Sequence, residues 1–280
     1  MPRTVAAVHD SGKGADPERA FAEPPVQDEA QLKGAGSMSP ERTVTSDRRV
    51  ALVTGARKGI GRSIAEHLLR SGYSVVGCSR RPADWEADGF KHVEVDASNE
   101  QQVVAMFREI NHLFGRLDAA INSAAIASMN HCLLTPMSTL QQTLYNNVGS
   151  TFVISREAAR LMRRRAFGRI VNFTSAAVPL HIPGEGAYLA SKSAIESLSQ
   201  VMASELAEVG ITVNVVGPGP TETDMTRGLP KDKLDETIGR LCIKRMTTFD
   251  DINNVLDFLL SLQSGCITGQ IIYLNGVSNR

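Results

Sequence analysis

"VTGARKGIGRS", residues 53–63, is the stretch on which the fold turns. Gly55, Gly59 and Gly61 stand in the spacing G-x-x-x-G-x-G. The residues before it, "RVALVTG" (49–55), read as a buried strand ending in glycine. The residues after it, "RSIAEHLLRSG" (62–72), place Ile64, Leu68 and Leu69 on one helical face, with Gly72 as a natural stop. Glycine in a strand-to-helix turn permits backbone angles closed to other residues and lets a pyrophosphate approach the main chain. The helix that follows offers free N–H groups and the positive end of its dipole. A plain structural turn is the competing reading of the same residues.

Working outward, the chain alternates strand and helix. "YSVVGCS" (73–79), "HVEVD" (92–96), "LDAAINSA" (117–124), "RIVNFTS" (169–175), "ITVNVVG" (211–217) and "GQIIYLNG" (269–276) read as six further strands. "EQQVVAMFREINHLFG" (100–115) is amphipathic through Val103, Phe107, Ile110 and Phe114. Apolar strands alternating with helices predict a single doubly wound, Rossmann-type α/β domain. Its sheet would be mainly parallel and seven-stranded, with helices on both faces.

Residues 47–280 form that domain in this reading. Residues 1–46 differ: rich in Ala, Pro, Gly, Ser and charge, they lack the apolar content to offset their ordering entropy and read as a disordered extension. Their acidic residues argue against a transit peptide. Met38 is a candidate start, because Lys33-Gly34-Ala35 can be encoded by codons containing a bacterial ribosome-binding sequence. A disordered tail that recruits a partner is the alternative.

The 280 residues carry 30 Lys+Arg and 30 Asp+Glu, so no global field points to nucleic acid or an acidic membrane surface. No apolar run has the length to span a bilayer and no secretory h-region opens the chain. The four scattered cysteines read as reduced thiols, with no metal-binding pattern; the expected location is the cytoplasm.

"GAYLASKSA" (186–194) holds Tyr188 and Lys192 four positions apart, hence on one face of a helix. A phenol titrates near pH 10, and a neighbouring ammonium would bring it down. The pair alone decides nothing, because the spacing is common.

Taken with the glycine loop, these residues resemble the short-chain dehydrogenase/reductase family over about residues 48–276. Thr54-Gly55 with Gly59 and Gly61, Asp96 after the third strand, "NSAA" (122–125), Asn147 in "NNVGSTF", Ser175 thirteen residues before Tyr188, and "PGPTET" (218–223) occur in the family's order. Ala125 departs from the family's glycine. The resemblance implies that Tyr188 is the general acid and that Lys192 lowers its pKa and holds the nicotinamide ribose. It further implies that Ser175 polarises the substrate oxygen and that Asn147 holds a water linking Lys192 to solvent. Cofactor contacts are implied for Gly55, Arg57, Lys58, Gly59, Ile60 and Gly61 of the loop, and for Asp96 and Ala97 at the adenine. Asn122 is implied as a cofactor contact that also ties neighbouring strands together, and Tyr188, Lys192, Pro218, Gly219, Thr221 and Thr223 are implied toward the nicotinamide side.

The second strand ends in Ser79-Arg80-Arg81, where NAD-preferring members carry Asp. No carboxylate there repels a 2′-phosphate and a guanidinium can bind it, so NADP(H) is the expected cofactor, with Lys58 adding charge. "GITVNVVGPGPTETDMTRGLP" (210–230) resembles the 3-oxoacyl-acyl-carrier-protein reductase branch, which implies reduction of 3-oxoacyl thioesters. That branch docks acidic carrier protein through two arginines; Ala166 and Val209 stand there here, with Arg163–Arg165 close to the first. Housekeeping fatty-acid elongation is therefore doubted, and an acyl carrier protein stays an optional partner. Another small or polyketide-like ketone is the alternative substrate, and a non-catalytic NADP-binding regulator the alternative class. The intact Ser175, Tyr188 and Lys192 argue against the regulator. The family's habit implies a homotetramer through helices at about 140–165 and 187–209, with Ile195, Leu198, Met202 and Leu206 as candidate contacts, packing on the sheet being the alternative for those four. His181 reads as a loop residue lining the pocket and Trp85 as a packing residue near the adenosine end.

Overall fold

The computed structural model describes residues 48–276 apart from Leu229. The expectations for residues 1–46, including a start at Met38, lie outside the described residues. Seven strands form the sheet: β1 (Val50–Thr54), β2 (Ser74–Ser79), β3 (Phe90–Glu94), β4 (Ala119–Asn122), β5 (Gly168–Phe173), β6 (Ile211–Gly217) and β7 (Ile271–Tyr273). All pairings are parallel, in the order β3-β2-β1-β4-β5-β6-β7. The order reverses between β1 and β4, which opens a crevice at their C-terminal ends.

The helices are α1 (Gly59–Arg70), α2 (Glu100–Phe114), α3 (Met137–Leu144), α4 (Ser150–Met162), α5 (Ala177–Leu180), α6 (Gly186–Leu206), α7 (Asp224–Arg227), α8 (Lys231–Gly239) and α9 (Phe249–Leu260). Successive β1 residues point to opposite faces, so Leu52 joins one core with Val103, Ile154 and Met202 of α2, α4 and α6. Ala51 and Val53 join the other with Ile64, Leu68, Ile252 and Leu256 of α1 and α9. This two-sided burial is why the strands read as continuous apolar runs.

The third strand begins two residues earlier than "HVEVD" predicts, because Phe90 pairs with Val75 and stacks on Trp85 at 3.9 Å between ring centroids. Ile195, Leu198, Met202 and Leu206 do not face outward: Ile195 and Met202 are buried and the other two pack against the core. On α4 and α6 the exposed large apolar side chains are instead Phe152 and Val201, with Tyr145 in the turn between α3 and α4.

A polar row crosses beneath the sheet. Asn122 Nδ2 donates to Ser155 Oγ (3.0 Å) and Asn172 Oδ1 (2.8 Å), and Asn172 Nδ2 donates to Ser199 Oγ (2.8 Å). It fixes β4 and β5 to α4 and α6, the helix that carries Tyr188. The excursion between β6 and β7 is built differently: neither α7 nor α8 has a buried residue.

Gly55 and Gly61 pack on each other. A Cβ on Gly61 would stand 2.4 Å from Gly55 O and 2.9 Å from Ser123 Oγ. Backbone cannot move aside as a side-chain tip can, so Gly61→Ala is expected to destabilise the fold by about 1–3 kcal/mol, the usual cost of overpacking. Urea titration would measure this, and an unchanged midpoint would show that the loop accommodates the methyl.

Candidate active site

A cavity of about 1440 Å³ opens at the C-terminal edge of the sheet. The exits of β1 to β6 contribute to it: Thr54 and Gly55 at the end of β1, Ser79 at the end of β2, Asp96 after β3, Ser123 after β4, Ser175 after β5 and Pro218 after β6. Thr54 and Ser123 hold the crevice open at the switch point. Ser123 Oγ donates to Thr54 O (2.5 Å) and Ala124 N to Thr54 Oγ1 (3.0 Å).

The glycine loop forms one end. Gly55 and Gly59 have φ of 74° and 58°, the left-handed region that favours glycine. The N-cap of α1, Lys58, supplies no side-chain cap, and the first turn holds no acidic residue. The helix start therefore presents donors and positive potential to the cavity. Arg80 and Arg81 are exposed on the cavity wall after β2, with no ion pair among the described residues. Arg57 is held by Asp84 (3.7 Å) and by Pro82 O (3.2 Å). Lys58 Nζ lies 2.5 Å from Asp224 Oδ2 on α7, and it holds that carboxyl below its usual range. These donors, the glycine loop and the unpaired arginines fit a dinucleotide carrying an extra phosphate on its adenosine ribose, as in NADP(H).

Asp96 and Ala97 line the same end; Asp96 Oδ1 accepts from Ser98 N (3.0 Å) and Ser98 Oγ (2.7 Å). Pro218, Gly219, Thr221 and Thr223 line the other end. A Cβ on Gly219 would stand 2.8 Å from Thr247 Oγ1, so this turn has no room for a side chain.

Ser175, Tyr188 and Lys192 converge on the cavity. Ser175 Oγ accepts from Ala177 N (3.2 Å) and shares a hydrogen bond with Tyr188. Lys192 is buried; its Nζ donates to Phe173 O (2.8 Å) and lies 5.7 Å from the Tyr188 ring centroid. Burial brings this ammonium down to about 8. The phenol does not move as the sequence suggests. Burial, and after it the Glu185 charge, push Tyr188 up to about 12, while the Ser175 hydrogen bond pulls the other way. With its ammonium engaged on Phe173 O, Lys192 does not offset the loss of solvent.

Two predicted site residues stand behind the wall rather than in it. Asn122 belongs to the polar row and does not line the cavity. Asn147 is fully buried: its Oδ1 accepts from Ile126 N (2.9 Å), and its Nδ2 donates to Ile126 O (2.9 Å) and Ser191 Oγ (2.9 Å). Its side chain is thus spent on fixing the β4 exit to α6. His181 is an exposed α5 cap bonded to Pro179 O and does not line the cavity, contrary to the sequence reading. Trp85 donates to Ala56 O (3.1 Å) and packs under the loop. Sequence reasoning missed Glu185, Asp224 and the Phe173 carbonyl. Glu185 stood three residues before Tyr188, a spacing that places it at the same helix start; the other two contacts cross the fold and left no local mark.

A doubly wound parallel sheet, a glycine loop at its switch point and a Ser–Tyr–Lys cluster facing that loop define a nucleotide-dependent oxidoreductase. The chain belongs to the short-chain dehydrogenase/reductase family, matching over residues 55–276 the group described as enoyl-(acyl carrier protein) reductase. It is 31% identical over 234 residues to 3-oxoacyl-(acyl-carrier-protein) reductase FabG of Vibrio cholerae serotype O1, covering 81% of this chain and 96% of that protein. It is 33% identical over 236 residues to the FabG of Staphylococcus epidermidis (strain RP62A), covering 81% and 97%. Among solved structures, ElxO with NADP bound superposes with a TM-score of 0.75 at 26% identity, covering 81% of this chain and 97% of that one. No helix among the described residues is long and apolar enough to cross a membrane.

Proposed function

We propose that this protein reduces a ketone with NADPH, with a 3-oxoacyl thioester as the favoured substrate. The observation that carries the reading is the convergence of Ser175, Tyr188 and Lys192 on the cavity that also holds the glycine loop and Arg80–Arg81. NADP(H) supplies or takes up a hydride at its nicotinamide ring. Arg80 and Arg81 would hold the 2′-phosphate as guanidinium donors, and the N–H groups opening α1 would hold the pyrophosphate. Ser175 holds the substrate oxygen beside Tyr188, whose phenol gives up its proton as negative charge develops there. Lys192, held on Phe173 O, would orient the nicotinamide ribose through its ammonium. Asn147 is a positioning residue that sets the spacing between Ile126 and α6.

The FabG relatives support the thioester, as does the apolar wall of Ile126, Met129, Leu180 and Leu241. Carrier-protein docking has a weaker basis. Ala166 and Val209 precede β5 and β6, at the edge of the sheet opposite the cavity, and so does the exposed Arg163–Arg165 turn. An NADPH oxidation assay across 3-oxoacyl thioesters of coenzyme A and of carrier protein, quinones and small ketones tests the reading. Turnover of thioesters above all others is expected. Preference for another ketone would move the assignment to a carbonyl reductase, and NADPH binding with no turnover would leave a regulator.

We also infer assembly through α4 and α6, where Phe152 and Val201, with Tyr145 just before α4, present apolar surface. Light scattering at micromolar concentration is expected to give a tetramer; a monomer would refute this.

A further inference from the structure

Glu185 is the N-cap residue of α6, three positions before Tyr188. It is half-buried and lines both the main cavity and a small annexe beside it, bounded by Met129, Ile182 and Lys233. Its carboxylate makes no hydrogen bond or ion pair among the described residues. It does not cap its own helix, although the first turn offers free donors. The other acids on the cavity wall differ. Asp96 is bonded to Ser98, Asp224 to Lys58 and Glu66 to Arg62, while Glu222 is fully exposed. The nearby polar groups are also committed. Lys233 pairs with Glu236 at 3.3 Å, and Ser175 with Ala177 N and Tyr188. Glu185 is therefore a half-buried wall carboxylate to which no donor among the described residues is bonded.

A carboxylate in that position loses hydration without compensation unless a ligand supplies a donor. It lines the same cavity as Tyr188 from the start of the same helix, so a donor meeting it would lie on the cavity side that the phenol faces. We propose that Glu185 determines specificity by accepting a hydrogen bond from a hydroxyl or amine that the substrate carries next to its ketone. The same charge disfavours ketones flanked by a carboxylate, such as 2-oxo acids. This rests on the reductase reading, and among 3-oxoacyl thioesters and other ketones it favours those that carry such a donor on the carbon beside the ketone.

The test compares 1-hydroxybutan-2-one with pentan-3-one, in which a methyl replaces the hydroxyl. The measured quantity is the ratio of their kcat/KM values in NADPH oxidation, for the wild type, Glu185→Gln and Glu185→Leu. Taking the ratio within each enzyme cancels the intrinsic reactivity of the two ketones. Glu185→Leu is expected to lower the ratio roughly ten- to a hundredfold, the worth of a charged hydrogen bond, mainly through KM for the hydroxyketone. Glu185→Gln keeps an acceptor oxygen and is expected to fall between. Because the Glu185 carboxylate has no partner among the described residues, both variants are expected to melt at or above the wild-type temperature. A ratio unchanged by Glu185→Leu in an active enzyme overturns this inference and leaves the reductase reading standing. No turnover of any ketone, with NADPH binding intact by its fluorescence, brings down both.

Discussion

Replacing Tyr188 with phenylalanine is expected to cost ~10²–10⁴-fold in kcat, the range a positioned general acid contributes. NADPH affinity should stay near the wild-type value. The ring keeps its place on α6 and only the proton donor is lost. A variant that retains near-wild-type kcat would falsify the assignment. The pH profile gives a second check. Burial holds the phenol near 12, so at neutral pH it is protonated, the form that reduction needs. Lys192 is lowered to about 8, so its ammonium is present below that pH and lost above it. Ketone reduction is therefore expected to decline as pH rises through about 8. Oxidation of the alcohol, which needs the phenolate, gains from rising pH at Tyr188 and loses at Lys192. A reductive rate that stays level well above this pH would remove Lys192 from the mechanism.

Arg80→Asp is expected to weaken NADPH binding roughly ten- to a hundredfold while leaving NADH little changed. Of the cations implied in cofactor binding, Arg57 and Lys58 are already paired within the protein. Arg80 and Arg81 remain to meet an incoming anion, and both are solvent-exposed. Replacing one with a carboxylate removes attraction and adds repulsion at the same place. Fluorescence titration with both nucleotides measures the two constants. Equal wild-type affinities for NADPH and NADH would show that these arginines do not read the phosphate.

The sheet was legible in the sequence because both of its faces are covered, so the central strands are short and mostly apolar; β6 matches "ITVNVVG" residue for residue. Strand ends were less legible at the edges, where β3 and β7 each have one neighbour and packing such as Trp85 on Phe90 sets the register. The glycine loop and the Tyr188–Lys192 pair were legible because each is local: one turn, one helical step. What could not be read is the electrical state of that pair. It depends on how much water reaches Tyr188 and on the Phe173 carbonyl that holds Lys192, nineteen residues away along the chain. Asn147 was found by its place in the motif, yet the partners that consume its amide, Ile126 and Ser191, lie on other elements.

The excursion between β6 and β7 has a bearing on how such an enzyme changes over time. α7 and α8 have no buried residues, yet Met225, Leu234 and Thr237 from this stretch form part of the cavity wall. The groups proposed for proton transfer sit instead on β5 and α6, anchored by Asn172 and Ser199. Substitutions in the excursion thus meet little folding penalty, since surface positions away from packed features shift stability by only about 0.5 kcal/mol. The walls that meet the substrate can drift, exchanging one ketone for another, while the proton-transfer apparatus and the hydride geometry stay under separate constraint from the core.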